Sequence, residues 1–392
     1  MLPFDESEYR LRIQRTKEKM REMGLDVFLV FDPANMNYLT GYDGWSFYVP
    51  QLVVVARDEE YPLWVGREQD AEGARITTLL PDENIIGYPD HYVHHPDRHP
   101  FDFLCHQLKM RELDFREIGV DMDSYYVTPS GFECLHRNLP RATFVNVQVV
   151  ISALRAVKSE AEIAYMRQAG RIMNRVMEVA RDAVRPGVRE CDAAGEIRQA
   201  QVQGLPGECG GDYPAIEPII LSGQRTAAAH LPWTDKPFEH DTVVILELAA
   251  CRYRYHAPLA RTVYLGNPPG EYLKLADTVI GGLHAALDTL KPGATCEEVE
   301  FAWSDYVGRY GVKKTSRIGY SMGLNYPPDW GEHILSLRRG DKTRIEPGMA
   351  FHVIPGIWQA GRGIEISESV IVTENGCEPL CQVPRELLVK AA

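Results

Sequence analysis

Apolar positions in the first part of the chain follow two different periods. Over residues 7–23 they recur at helical spacing among basic side chains, and Gly24 supplies a stop, which predicts a helix. Short apolar runs follow at residues 27–31, 52–56, 61–65 and 118–120, each read as a strand, with a helical stretch over 67–79. Helices alternating with strands predict an α/β first domain over residues 1–153.

The pattern changes near residue 155. Ser159-Glu160-Ala161-Glu162 has the form of a capping box, and Ile163, Met166, Gly170, Met173, Met177, Ala180 and Val184 then trace one face of a long helix. It ends at Arg185-Pro186-Gly187, and a second helix is expected from Glu190. The arrangement returns: a helix over 272–290, a stop at Lys291-Pro292-Gly293 and another helix near Glu297. Two helix pairs about one hundred residues apart predict an internally duplicated second domain, residues 154–392. Apolar runs at 216–221, 242–251, 259–265, 350–354 and 364–373 supply its strands, so two helix pairs covering one curved sheet are expected.

Charge narrows the function. Of 392 residues, 55 are Asp or Glu and 42 are Lys or Arg, a net charge of −13. So acidic a surface disfavours nucleic acid and anionic membranes as partners. There is no apolar run near the roughly 20 residues needed to span a bilayer, and Met1-Leu2-Pro3-Phe4-Asp5-Glu6 does not resemble a signal peptide. Eight scattered cysteines without a CxxC pair read as reduced thiols. These features lead us to expect a soluble, cytoplasmic protein. The histidines between His91 and His99 sit among prolines and charges and read as a solvated loop rather than a metal site. Gly319-Tyr320-Ser321-Met322-Gly323 matches a nucleophile elbow, but Pro327-Pro328 follows too closely for the helix that motif requires.

Several separated segments resemble the creatinase/prolidase family with its "pita-bread" catalytic fold. They are Leu154-Arg155-Ala156-Val157-Lys158-Ser159, the stretch from Pro218 to His230, Arg261-Thr262-Val263-Tyr264 and Ile345-Glu346-Pro347-Gly348-Met349. The resemblance implies a creatinase-like N-terminal α/β domain followed by a pseudo-twofold α+β catalytic domain. Metal-dependent members hold two divalent ions with two Asp, one His and two Glu. At those positions this chain carries Glu247, Pro258, Tyr320, Ile354 and Ser367, and proline and isoleucine offer no donor. No metal and no other cofactor are therefore expected. Creatinase is the family's metal-free precedent, and its general-base histidine corresponds to His230, which read alone would be an ordinary loop residue.

Strand alternation adds an independent inference. If the old ligand positions face a cavity, residues two away on the same strand face it too. That brings Glu365, His256 and His352 beside Glu247 and Tyr320. His256 and His352 are read equally as substrate contacts or as hydrogen-bonded support. Two inward carboxylates are costly unless a cation meets them, which points to an amidinium or guanidinium substrate whose carbon is already electrophilic. Trp45 and Phe47 are read either as stacking on such a planar cation or as interface core. Arg338 resembles a carboxylate-binding arginine of creatinase, the alternative being an ordinary surface arginine. The resemblance puts Val49 where creatinase carries an arginine for its substrate's carboxylate, which argues against creatine as the substrate.

The whole pattern, including Glu365-Ile366-Ser367-Glu368-Ser369, resembles the ectoine hydrolases, a metal-free branch of the family. The resemblance implies ring opening of ectoine, and of hydroxyectoine if tolerated, with His230, Glu247 and Glu365 as catalytic residues. It also implies a homodimer whose sites are completed by the partner's N-terminal domain, and a deacetylase of the same pathway as a further partner. Both direct water attack and covalent addition of a carboxylate fit the residues. A creatinase-like guanidine hydrolase, or a pita-bread domain that has lost catalysis and binds a protein, are the competing readings.

Overall fold

The helical period near the N-terminus matures into helix Glu6–Met23, which Gly24 closes in the left-handed conformation. The computed structural model describes residues 2–114, 116–147, 149–359 and 361–390, and the chain divides into two units, Met1–Leu154 and Arg155–Ala392. In the first unit the apolar runs pair into a six-stranded mixed sheet. Its order is Ile85–Tyr88, Leu63–Arg67, Leu52–Ala56, Val27–Val30, Glu117–Val120 and Thr143–Asn146. Val27, Leu29, Val54 and Ile118 from its central strands pack against Phe101, Leu104 and Leu135 from the covering helices. The segment over 67–79 divides: Arg67 ends a strand, and only Ala71–Thr77 is α-helical. In the histidine-rich segment, His99 caps helix Pro100–Met110, its Nδ1 accepting the Phe101 N–H at 3.1 Å.

In the second unit, Ser159 and Glu162 form the reciprocal capping box that opens helix Glu160–Ala183. Both Pro-Gly stops place glycine at positive φ, 84° at Gly187 and 88° at Gly293, where a side chain would be strained. Helices Glu190–Gln203, Gly270–Thr289 and Cys296–Gly308 complete the two pairs. Helix Glu160–Ala183 lies against strands Thr242–Arg252 and Tyr255–Leu265, and helix Gly270–Thr289 against Ala350–Val353 and Gly376–Pro379.

The expected single sheet is divided into two larger sheets and one small two-stranded one. One sheet has four strands, in the order Leu388–Lys390, Tyr255–Leu265, Thr242–Arg252 and Ile219–Ser222. A second has five, in the order Gly331–Ser336, Gly319–Met322, Ala350–Val353, Glu368–Thr373 and Gly376–Pro379. The run expected to be one strand over 364–373 leaves strand geometry at residues 365–367, so Arg362–Ile364 pairs with Ile357–Gln359 in a two-stranded sheet of its own while Glu368–Thr373 joins the five-stranded one. Across that break the sheets are tied by the Ser367 N–H to the Ala260 carbonyl (3.1 Å) and the Ala260 N–H to Ser367 Oγ (2.7 Å).

Two buried ionic clusters hold this unit. Lys158 Nζ reaches Glu332 at 2.8 Å with Arg155 alongside. Arg261 donates to Glu368 (2.6 Å) and to the carbonyls of Ser367, Ala260, Val383 and Pro384. Ser321, the serine of the elbow-like motif, is buried in strand Gly319–Met322 and accepts the Leu335 N–H, so its setting is that of a sheet residue. Among the described residues no helix is long and apolar enough to cross a membrane.

Candidate active site

Glu247 stands mid-strand in Thr242–Arg252, in register with Ala260 on the neighbouring strand. Directly paired residues and those two apart share a sheet face, so Glu247, Ala249 and Ala260 look the same way. Ala249 and Ala260 pack with Tyr320, Trp330 and Ile354, which directs the Glu247 face toward Tyr320. Burial, with the charge of Asp329 adding to it, pushes the Glu247 carboxyl up to about 8. Glu365 is also buried, and burial followed by the charge of Glu247 drives it well above the usual carboxylate range. Its backbone is clamped by Thr262, whose Oγ1 accepts the Glu365 N–H at 2.9 Å and donates to the Glu365 carbonyl at 2.8 Å. The Arg261-Thr262 pair thus fixes the irregular segment that presents this carboxyl.

One cation does come near. Lys314 donates to the Gly356 carbonyl at 2.8 Å and lies 4.3 Å from the Trp358 ring centre. Burial depresses its amine to about 8, with Glu365 opposing. A Cβ added at Gly356 would stand 2.9 Å from Glu365 Oε1, so the lysine and the carboxyl converge on that glycine. Lys314 comes from the loop before strand Gly319–Met322, not from a strand carrying either glutamate, so alternation could not find it. The adjacent Lys313-Lys314 pair ahead of Tyr320 was the available signal.

His352 is fully buried between Tyr320 and Ser367: its Nδ1 lies 3.0 Å from Tyr320 Oη and its Nε2 2.7 Å from Ser367 Oγ. Trp330 Nε1 donates to the same tyrosine oxygen at 2.7 Å. Burial lowers His352 to about 3 and His256 to about 4, so both are neutral at physiological pH. His256 Nε2 accepts the Ala215 N–H at 2.9 Å, and its Nδ1 faces the Gly323 carbonyl at 3.4 Å. Both of its ring nitrogens therefore meet backbone.

His230 is exposed on the turn after the short helix Gly223–Ala227. That turn is tied by Arg225 to the Pro232 carbonyl, and Thr226 Oγ1 accepts the Gly363 N–H at 2.9 Å, two residues before Glu365. Arg338 lines a cleft of about 880 Å³ together with Lys313, Lys314, Arg317 and Arg339. Arg317, over the Tyr320 ring at 4.5 Å, leads from this cationic cleft toward Tyr320. Trp45 and Phe47 belong to the first unit, their ring centres 5.1 Å apart, and Trp45 is 60% exposed.

Known proteins place the chain. Its residues 164–374 match metallopeptidase family M24, and residues 12–157 match the creatinase/prolidase N-terminal domain. The chain belongs to the creatinase/prolidase family. It is 42% identical to an ectoine hydrolase of Halomonas elongata over 99% of both chains. It is 45% identical to an uncharacterized hydrolase/peptidase, y4tM, of Sinorhizobium fredii over the whole of this chain and 99% of the relative. A prolidase from Thermococcus sibiricus shares the fold, with TM-score 0.83, 20% identity and coverage of 97% and 99%.

The metallopeptidase pattern implies divalent ions, and the residues of this family member do not fit them. Pro258 and Ile354 present no donor, while the Tyr320 and Ser367 oxygens are engaged by Trp330, His352 and Ala260. Among the described residues no group of three or more His, Cys, Asp or Glu could hold a metal ion.

The raised carboxyls have a consequence for stability. A carboxyl that holds its proton more tightly in the folded state than in the unfolded chain stabilises at low pH, and the contribution is lost as pH rises toward its folded pKa. For Glu247 that loss runs from about 4.5 to about 8. The buried histidines work oppositely, but only below their ordinary value of 6.5. Lys314 changes its contribution only above about 8. Between pH 6.5 and 8 the carboxyls therefore govern this site, and urea midpoints of the ligand-free protein should fall across that window. Glu247→Gln should flatten the fall. A slope unchanged in the variant would contradict the assignment.

Proposed function

We propose that this family member is a metal-independent hydrolase that opens the cyclic amidine ring of ectoine, giving N-acetyl-L-2,4-diaminobutyrate. The observation that carries the reading is the pair of buried carboxyls, Glu247 and Glu365, where a metallopeptidase would gather metal ligands. A delocalised amidinium brought between them adds the positive charge that Lys314 alone does not supply to both and lets them ionise, so binding energy is spent on orienting the reacting carbon. The 42% identity to the Halomonas elongata ectoine hydrolase supports the same substrate.

In this reading Glu247 and Glu365 hold the amidinium, and His230 carries protons to and from the reacting atoms. The cationic cleft of Arg338 and Arg317 draws in the substrate carboxylate. His352 and His256 act as neutral supports. A homodimer is the working form, its exposed Trp45 and neighbouring Phe47 closing over the substrate of the partner copy, and a deacetylase takes up the acetylated product. The enzyme works in the cytoplasm, where a compatible solute accumulates.

The test is product analysis. Purified protein incubated with ectoine should yield one acetylated diaminobutyrate by mass spectrometry, with no turnover of creatine. Turnover of creatine with ectoine left intact would assign the site to guanidinium hydrolysis instead.

A further inference from the structure

The hydrogen bonds around His352 have a direction that the distances alone do not state. Two donors at the ends of the network have no alternative role. The Ala260 backbone N–H can only donate, and it donates to Ser367 Oγ (2.7 Å). The Trp330 indole N–H can only donate, and it donates to Tyr320 Oη (2.7 Å). Ser367 is fully buried, and among the described residues His352 Nε2 at 2.7 Å is the acceptor in reach of its own proton; the reverse direction would leave that O–H stranded in a dry setting. His352, fully buried and neutral, must then carry its proton on Nδ1 and give it to Tyr320 Oη at 3.0 Å. The tyrosine oxygen thus receives two hydrogen bonds, and its own O–H is free to turn to the face it shares with Glu247.

We propose that Tyr320 is the catalytic proton donor to the departing ring nitrogen, and that His352 and Ser367 are positioning residues that aim it. This inference deepens the proposed amidine hydrolysis and rests on it. At a position the family uses for a metal ligand stands a phenol that burial and the charges of Glu247 and Asp329 keep protonated, with two fixed N–H donors aimed at its oxygen to meet charge as it develops there. Such preorganised donors stabilise charge at the moment it develops.

With water as the nucleophile the step balances as follows. The water oxygen bonds to the amidinium carbon, and its proton passes to His230, leaving a neutral tetrahedral carbon bearing a hydroxyl and two nitrogens. Tyr320 gives its proton to one ring nitrogen. The carbon–nitrogen bond breaks with its electron pair going to that nitrogen, and the hydroxyl proton returns to the phenolate. An amide and an amine result, Tyr320 is restored, and the proton held by His230 converts the amine to an ammonium.

Two measurements separate this relay from the functional reading beneath it. Nitrogen-15 NMR of histidine-labelled protein without substrate should show His352 protonated at Nδ1 in the wild type, its resonances assigned by their loss in His352→Gln. Ser367→Ala should release that tautomer. Protonation at Nε2 in the wild type would overturn the relay whatever the substrate. On ectoine, Tyr320→Phe should lower kcat by ~100-fold or more with KM changed less than about threefold, the range expected when a proton donor is lost. Ser367→Ala should lower kcat as well, yet cost nothing further in the Tyr320→Phe background, because it acts only through that hydroxyl. A Tyr320→Phe enzyme keeping more than a third of wild-type kcat, or two losses that multiply independently, would overturn the proposal while leaving ectoine hydrolysis intact.

Discussion

Glu247→Gln is expected to lower kcat/KM on ectoine by ~100- to 1000-fold, the range seen when a fixed charge partner of the reacting group is removed. The same substitution should raise the thermal midpoint of the ligand-free protein at pH 8. The glutamate is buried and its carboxyl is driven up to about 8, first by desolvation and then by Asp329. A neutral amide of the same shape avoids the cost of ionising there. The substitution would therefore weaken catalysis and strengthen the fold together, as happens where a site stores unfavourable electrostatics for function. Steady-state kinetics and a thermal scan on one preparation check both arms. A variant that is less stable yet fully active would show that Glu247 is an ordinary structural acid.

The largest effect on stability is expected from Arg261→Met. The Arg261 guanidinium is almost wholly buried and serves Glu368 and four backbone carbonyls, including that of Ser367 at 2.6 Å. Removing it leaves Glu368, itself 1% exposed, with Arg385 at 3.5 Å as its remaining cation among the described residues. Breaking one side of a buried ion pair costs about 3–5 kcal/mol, which urea unfolding would read as a lowered midpoint. The double variant Arg261→Met with Glu368→Gln should recover part of the loss, because the stranded charge is gone. No recovery would mean that the carbonyl bonds, rather than the ion pair, hold this segment. Activity should fall too, since the neighbouring Thr262 clamps the backbone of Glu365.

Most of the architecture was legible in the sequence because helical period and turn chemistry agree. The capping box at Ser159 and the two Pro-Gly stops delimit helices whose observed ends, Glu160–Ala183 and Gly270–Thr289, differ from the expected ones by at most three residues. Strand alternation correctly turned His352 toward Tyr320, since Ala350–Val353 is a regular strand paired on both sides. It had no valid basis at Glu365, because the chain leaves strand geometry over residues 365–367. Glu365 is nevertheless buried beside Glu247, brought there by Thr262 rather than by the pleat. Loop-borne groups stayed invisible for the same reason. Lys314 and Trp330 reach the site by tertiary packing that no periodicity encodes, and His99 became a helix cap, a role its residue type seldom signals.

In the proposed reaction, buried carboxyls and a substrate-borne cation do the work that metal ions do in the metal-dependent relatives. That replacement is tested most directly by dialysing the protein against a strong chelator, measuring its metal content by elemental analysis, and following ectoine turnover on the same sample. Turnover should be undiminished at far less than one metal per chain. Activity that vanishes with the metal and returns on adding manganese or zinc would contradict it.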